Sequence, residues 1–160
     1  MLLNFLLVIS LFVFSTSGVC ASQCPFGWTH LAYGQKCVKA FPALTDWSNG
    51  ELTCAYQGGH HISVKDYYEN YYLAELAKTL PGGQVWLGAF RAGTSYYSWS
   101  DRTPFGYFVR WRGNVTPSRN GLGCVKLDGV SGEWFQSCCR KSAATICQKQ
   151  ASGTGTFRLR

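Results

Sequence analysis

The chain has 160 residues, which points to one domain after any processing. A net charge of +7 favours anionic partners, and an aromatic content of 16% suits either a compact core or a stacking surface. No segment beyond the N-terminal apolar run is able to span a membrane.

Residues 2–14, LLNFLLVISLFVF, are almost wholly apolar and end in STSGVCAS. That is a signal-peptide core followed by a small-residue cleavage pattern around Val19-Cys20-Ala21, so residues 1–21 are read as a leader and the protein as secreted and extracellular. No Lys or Arg precedes the run, which leaves an uncleaved anchor as the alternative. Export gives the eight cysteines meaning, because disulfides persist in oxidising compartments. Cleavage after Ala21 removes Cys20 and leaves Cys24, Cys37, Cys54, Cys124, Cys138, Cys139 and Cys147, an odd number. One thiol is then unpaired or bonded to another chain, or, if cleavage falls earlier, bonded to a retained Cys20.

CPFGWTHLAYGQKCVKAF reads as a hairpin around Tyr33-Gly34-Gln35 that Cys24 and Cys37 can close. Thr45 is placed to cap a helix running through Trp47 and Cys54 to Gln57, ended by Gly58-Gly59 and weakened at Asn49-Gly50 by about 1 kcal/mol. A second helix opens at Ser63-x-x-Asp66, puts Tyr68, Tyr72, Leu76 and Leu80 on one face, and stops at Pro81-Gly82-Gly83. VWLGAF (85–90) looks like a buried strand, and GCVKLDG, GEWFQ and AATICQK read as short strands with turns between them. Residues 91–123 lack sustained periodicity, and a long irregular segment in a small domain is usually functional. Residues 150–160 are read as a tail without a core signal. The expected fold is α+β: two helices, two small antiparallel sheets and a long irregular loop, stapled by disulfides.

The ordered pieces CPFGW, Trp47 to Cys54, GGHHISVKDYYEN, VWLGAF, YSWSDRTPFGY, CVKLDGVSGEW and ICQK together resemble a C-type lectin-like domain, over residues 22–149. The resemblance implies bridges Cys54–Cys147, Cys124–Cys139 and, as in the long form of the family, Cys24–Cys37. The family's spacing after the tryptophan that Trp134 resembles falls on Cys139, so the resemblance implies Cys139 as the partner of Cys124. Cys138 is left over, and an interchain disulfide that makes a dimer is expected of it, with a free thiol or a bond to Cys20 as alternatives. Members that bind sugar through calcium carry carboxylate and amide ligands in the loop and after the tryptophan equivalent to Trp134. Here the matching positions are Thr116-Pro117-Ser118, Leu122-Gly123 and Phe135-Gln136, and Asp128 and Glu133 are placed differently. Calcium is held by hard oxygens, chiefly carboxylates, so no metal or other cofactor is expected there.

What the loop carries is Arg91, Arg102, Arg110, Arg112 and Arg119, interleaved with Tyr96, Tyr97, Trp99, Phe105, Tyr107, Phe108 and Trp111. Guanidinium groups grip sulfate and carboxylate, and aromatic faces pack on sugar rings. Arg110, Arg112, Thr116, Pro117, Ser118 and Arg119 are the candidate ligand-binding residues. The plainer alternative makes Trp99, Tyr107 and Trp111 core residues and the arginines solvated surface. Asn114-Val115-Thr116 is an N-glycosylation acceptor, used or unused. His60 and His61 are adjacent and would point to opposite faces of a strand, and no serine sits in a nucleophile motif, so no enzyme is expected. The expectation is a secreted binding protein for carbohydrate, microbial or anionic glycan surfaces that works without calcium. The alternatives are a protein-binding module and, behind it, an antimicrobial or toxin-like effector. No nucleic-acid partner is expected.

Overall fold

The computed structural model describes residues 24–91, 96–118 and 123–152. The leader with Cys20, the loop residues Arg119 and Leu122, and residues 153–160 of the tail lie outside the described residues.

Strands β1 (Thr29–Leu31) and β2 (Lys36–Thr45) form the expected hairpin, with Thr29 opposite Val38 and Leu31 opposite Lys36. The left-handed position of the turn falls on Gln35 (φ 48°) rather than Gly34. Gly34 is needed for a different reason. A Cβ there would stand 1.9 Å from Glu69 Oε1, the carboxylate that pairs with buried Lys36 at 3.0 Å. Cys24–Cys37 staples the hairpin.

Helix α1 (Trp47–Tyr56) is capped by Asp46, whose Oδ1 accepts the Asn49 N–H at 2.9 Å, and not by Thr45. Thr45 is the last residue of β2, and its carbonyl accepts the indole N–H of Trp86. Gly50 does more than lower helix propensity. A Cβ there would meet Thr145 Oγ1 at 2.5 Å and the His61 ring at 2.7 Å, so glycine lets α1 press onto the sheet. Cys54 is bonded to Cys147 and closes that contact covalently. Strand β3 (His60–His61) follows.

Helix α2 (Tyr67–Lys78) is likewise capped by the residue nearest it, Asp66, while the Ser63 hydroxyl is drawn to Asp101 at 2.6 Å. Its buried stripe is Leu73, Ala74 and Ala77 with Glu69 and Asn70, turned by one residue from the expected face. Tyr72, Leu76 and Leu80 pack at the edge of the core, and Tyr68 is exposed. Small alanines allow the close approach that a row of tyrosines would prevent.

Strands β4 (Gln84–Phe90), β5 (Ser98–Trp99), β6 (Cys124–Asp128), β7 (Trp134–Ser137) and β8 (Ala143–Gln150) complete the fold. The order is β1-β2-β8-β4-β6-β7, with β3 also on β8 and β5 on β4. The two antiparallel groups expected from the sequence exist, but they form one mixed sheet. A short parallel pairing of β4 with β8, Val85 to Ala144 and Trp86 to Thr145, joins them. Strands paired on both edges and covered on both faces carry unbroken apolar runs, as VWL and AATIC do. Beyond the expected domain end, Ala151 is buried beside Cys24 and Cys37 and donates its N–H to Gln35 O.

Candidate functional site

The irregular segment leaves the end of β4 and returns at the start of β6. Its two ends are tied by Arg91 N–H to Gly123 O at 2.7 Å and by the Cys124–Cys139 disulfide. Closing the base in this way lets the described residues between, apart from β5, follow side-chain packing instead of a hydrogen-bond ladder. Trp99 and Trp111, 2% and 5% exposed, pack edge-on against Trp134 at 5.7 and 5.8 Å. They are core, as the plainer alternative has it, but Tyr107 is 85% exposed and is not.

Above this tryptophan layer lies Tyr97, 5.1 Å from the Trp111 ring and 5.6 Å from Phe105. The Arg91 guanidinium stacks on the Tyr97 ring at 4.8 Å and donates from Nη1 to Ser118 O at 2.9 Å. Gln136 Nε2 donates to the Tyr97 hydroxyl at 2.6 Å and lies 3.5 Å from the same carbonyl. Burial pushes the Tyr97 phenol up, against the opposing pull of Gln136 and Arg91, so the ring stays neutral at ordinary pH. Arg91, Tyr96, Tyr97, Phe105, Trp111, Thr116 and Pro117 line a cavity of about 370 Å³.

The candidate residues separate in space. Thr116, Pro117 and Ser118 gather around Arg91 and Tyr97. Arg112 turns elsewhere: its guanidinium covers the Phe135 ring at 4.4 Å and reaches Asp128 Oδ2 at 3.3 Å. Arg110 accepts the Trp134 N–H at its carbonyl, 2.7 Å, and sends an exposed side chain to a groove beside α2. Asn114 is exposed at φ 55° in a short turn. Cys138 is half-buried and carries no disulfide among the described residues.

Gln136 is the participant that the sequence reading left unused. The period-2 alternation of β7 places it on the same face as Trp134, toward the loop aromatics, and that pattern is its sequence signal. A calcium ion does not fit this set. Thr116, Ser118 and Gln136 bring no carboxylate, and the Ser118 carbonyl already accepts a guanidinium. Asp128 is committed to Arg112 and to the Val130 and Ser131 N–H groups, and Glu133 accepts from Gly113 N. His60 is exposed and pairs with Glu51 at 2.6 Å, while His61 is buried against Trp47 O at 3.0 Å.

A profile of the lectin C-type domain matches residues 44–149. The chain belongs to the C-type lectin domain family. It is 31% identical over 159 residues to C-type lectin lectoxin-Lio1 of Erythrolamprus poecilogyrus, covering 94% of each chain. It is 26% identical to the galactose-specific lectin nattectin of Thalassophryne nattereri, over 80% of this chain and 81% of that one. A calcium-independent type II antifreeze protein of known structure superposes with a TM-score of 0.69 at 29% identity, over 80% of this chain and 95% of that chain. This C-type lectin domain therefore has both lectins and an antifreeze protein as kin. No described helix is long and apolar enough to cross a membrane.

Proposed function

We propose that this C-type lectin domain is a secreted, extracellular protein that binds glycans without calcium, through the cavity between Arg91, Tyr97, Trp111, Thr116 and Pro117. The observation that carries the reading is the Arg91 guanidinium, seated on Tyr97 and bonded to Ser118 O. It supports the loop from within, beside aromatic faces suited to sugar rings and hydroxyl groups suited to their edges. The signal peptide at residues 1–21, glycosylation at Asn114 and an interchain disulfide through Cys138 belong to the same proposal.

A glycan array probed with calcium and with EDTA tests it. The expected result is one set of bound glycans in both conditions, weakened by Arg91→Ala, which removes the guanidinium that holds Tyr97 and Ser118 in place. Binding abolished by EDTA would overturn calcium independence. Silence on every glycan would favour the second reading, a protein ligand. That reading is supported by the low polarity of a cavity whose walls are mostly rings.

A further inference from the structure

The outer face of α2 carries more aromatic surface than the fold uses. The helix meets the core through Leu73, Ala74 and Ala77, and Asn70 holds the Trp134 indole N–H at 2.7 Å. Tyr67, Tyr68 and Tyr71 remain 56%, 60% and 58% exposed. Tyr33 leaves the hairpin turn to stack on Tyr68, centroids 4.8 Å apart and planes 13° from parallel. Contiguous aromatic surface of this kind marks a contact site.

Tyr67 and Tyr71 stand one helical turn apart and form one wall of a groove of about 200 Å³. The opposite wall is the turn at residues 129–132 together with Arg110. That turn is held hard against α2: a Cβ on Gly129 would lie 2.7 Å from Lys78 N, and Asn70 Nδ2 donates to Gly132 O at 2.9 Å. The charged residues that line the groove are Glu75, Lys78 and Arg110. Lys78 pairs with Glu75 at 2.5 Å, Lys36 with Glu69 at 3.0 Å and Arg112 with Asp128 at 3.3 Å. Arg110 makes no ion pair among the described residues, and its main chain is anchored by the Trp134 N–H.

We propose that this groove is a second ligand site, separate from the loop cavity, for an acidic sugar residue: Arg110 takes the oxyanion and the rings of Tyr67 and Tyr71 take the sugar face. Charge complementarity fixes the class of ligand. Of the charged residues described in the groove's lining, the one outside an ion pair is a guanidinium, which binds carboxylate or sulfate through two parallel N–H donors. The adjoining rings offer flat apolar faces with a hydroxyl at the tip, suited to a pyranose whose C–H face is apolar and whose edge is polar. A uronate and a sulfate ester present the same chemistry to this pair.

The test is titration at about 0.15 M salt with four probes: polygalacturonate oligomers, dextran sulfate, heparin oligosaccharides and unmodified dextran, with ¹³C-labelled tyrosine followed by NMR. Acidic probes are expected to bind, to shift the Tyr67 and Tyr71 ring signals, and to lose about tenfold or more in Arg110→Gln. Arg110→Lys restores part of that loss, and Tyr71→Ala, at an exposed position, weakens binding in a protein that still folds. Binding of polygalacturonate alone assigns the carboxylate, and of dextran sulfate alone the sulfate. Equal binding of dextran, or acidic probes binding Arg110→Gln within twofold of the parent with both rings unmoved, overturns the proposal, as does failure of every probe to bind. Arg91→Ala separates the two sites: ring shifts at Tyr67 and Tyr71 that persist in it support this groove whatever becomes of the loop.

Discussion

His61 passes on folding from water into the protein interior. It is fully buried, donates from Nε2 to Trp47 O at 3.0 Å, and has no partner for Nδ1 among the described residues. Burial pushes its pKa below the usual value near 6.5, against the pull of the Trp47 carbonyl and Glu51. The unfolded chain therefore takes up a proton below about pH 6.5 that the folded protein refuses, and the protein loses stability as pH falls through that window. The slope from this one site is at most about 1.4 kcal/mol per pH unit. Melting temperatures measured between pH 7.5 and 5 should fall, and His61→Gln, less stable at neutral pH, should show a shallower fall. Parallel curves for the two proteins would place the effect elsewhere. Asp101 does not act in this window. Burial would raise its carboxyl, but hydrogen bonds from Ser63, Thr103 and Gln148 outweigh that and hold it low.

Among the elements, α2 shows what local signals convey. Ser63-x-x-Asp66 marked the place where a helix begins, but the cap is Asp66, because Ser63 has better partners in Asp101 and Gln148, far along the chain. Asp66→Ala should cost about 1 kcal/mol and speed amide exchange in the first turn of α2. Ser63→Ala should destabilise without changing exchange in that turn, and equal acceleration in both variants would show that the serine caps after all. The same competition moved the cap of α1 from Thr45 to Asp46. The core stripe of α2 was displaced by one residue because its alanines, weak as hydrophobic signals, permit the nearest approach. Strand positions were easier to read. Alternation and unbroken apolar runs depend on neighbours already adjacent in sequence, whereas a cap or a stripe depends on what the rest of the chain offers.

For the molecule as a whole, the bridges are unequal. Cys54–Cys147 closes 93 residues and Cys24–Cys37 only 13. Loop entropy assigns the first roughly 4–5 kcal/mol and the second about 3. Denaturant titration of the two double Cys→Ala variants should rank them in that order, and the reverse ranking would mean that native contacts, not chain entropy, set the difference. The fold was legible because cysteines, glycines and aromatic runs keep their order along the chain. The sites were less so. Arg110 and Arg112 are two residues apart, yet one faces α2 and the other covers Phe135, a division made only when β7 and α2 arrive. Most of the sheet likewise waits on a late arrival. Strand β8, the last strand described, lies at its middle and pairs with β2, β3 and β4. A ribosome adding some 5–20 residues per second must finish nearly the whole domain before those edges are covered. Until then the edges of β2 and β4 that β8 will cover stay unpaired, open to chaperones, to one another and to mispaired cysteines, so a stop codon only a few residues before Ala143 would remove the keystone and not the margin.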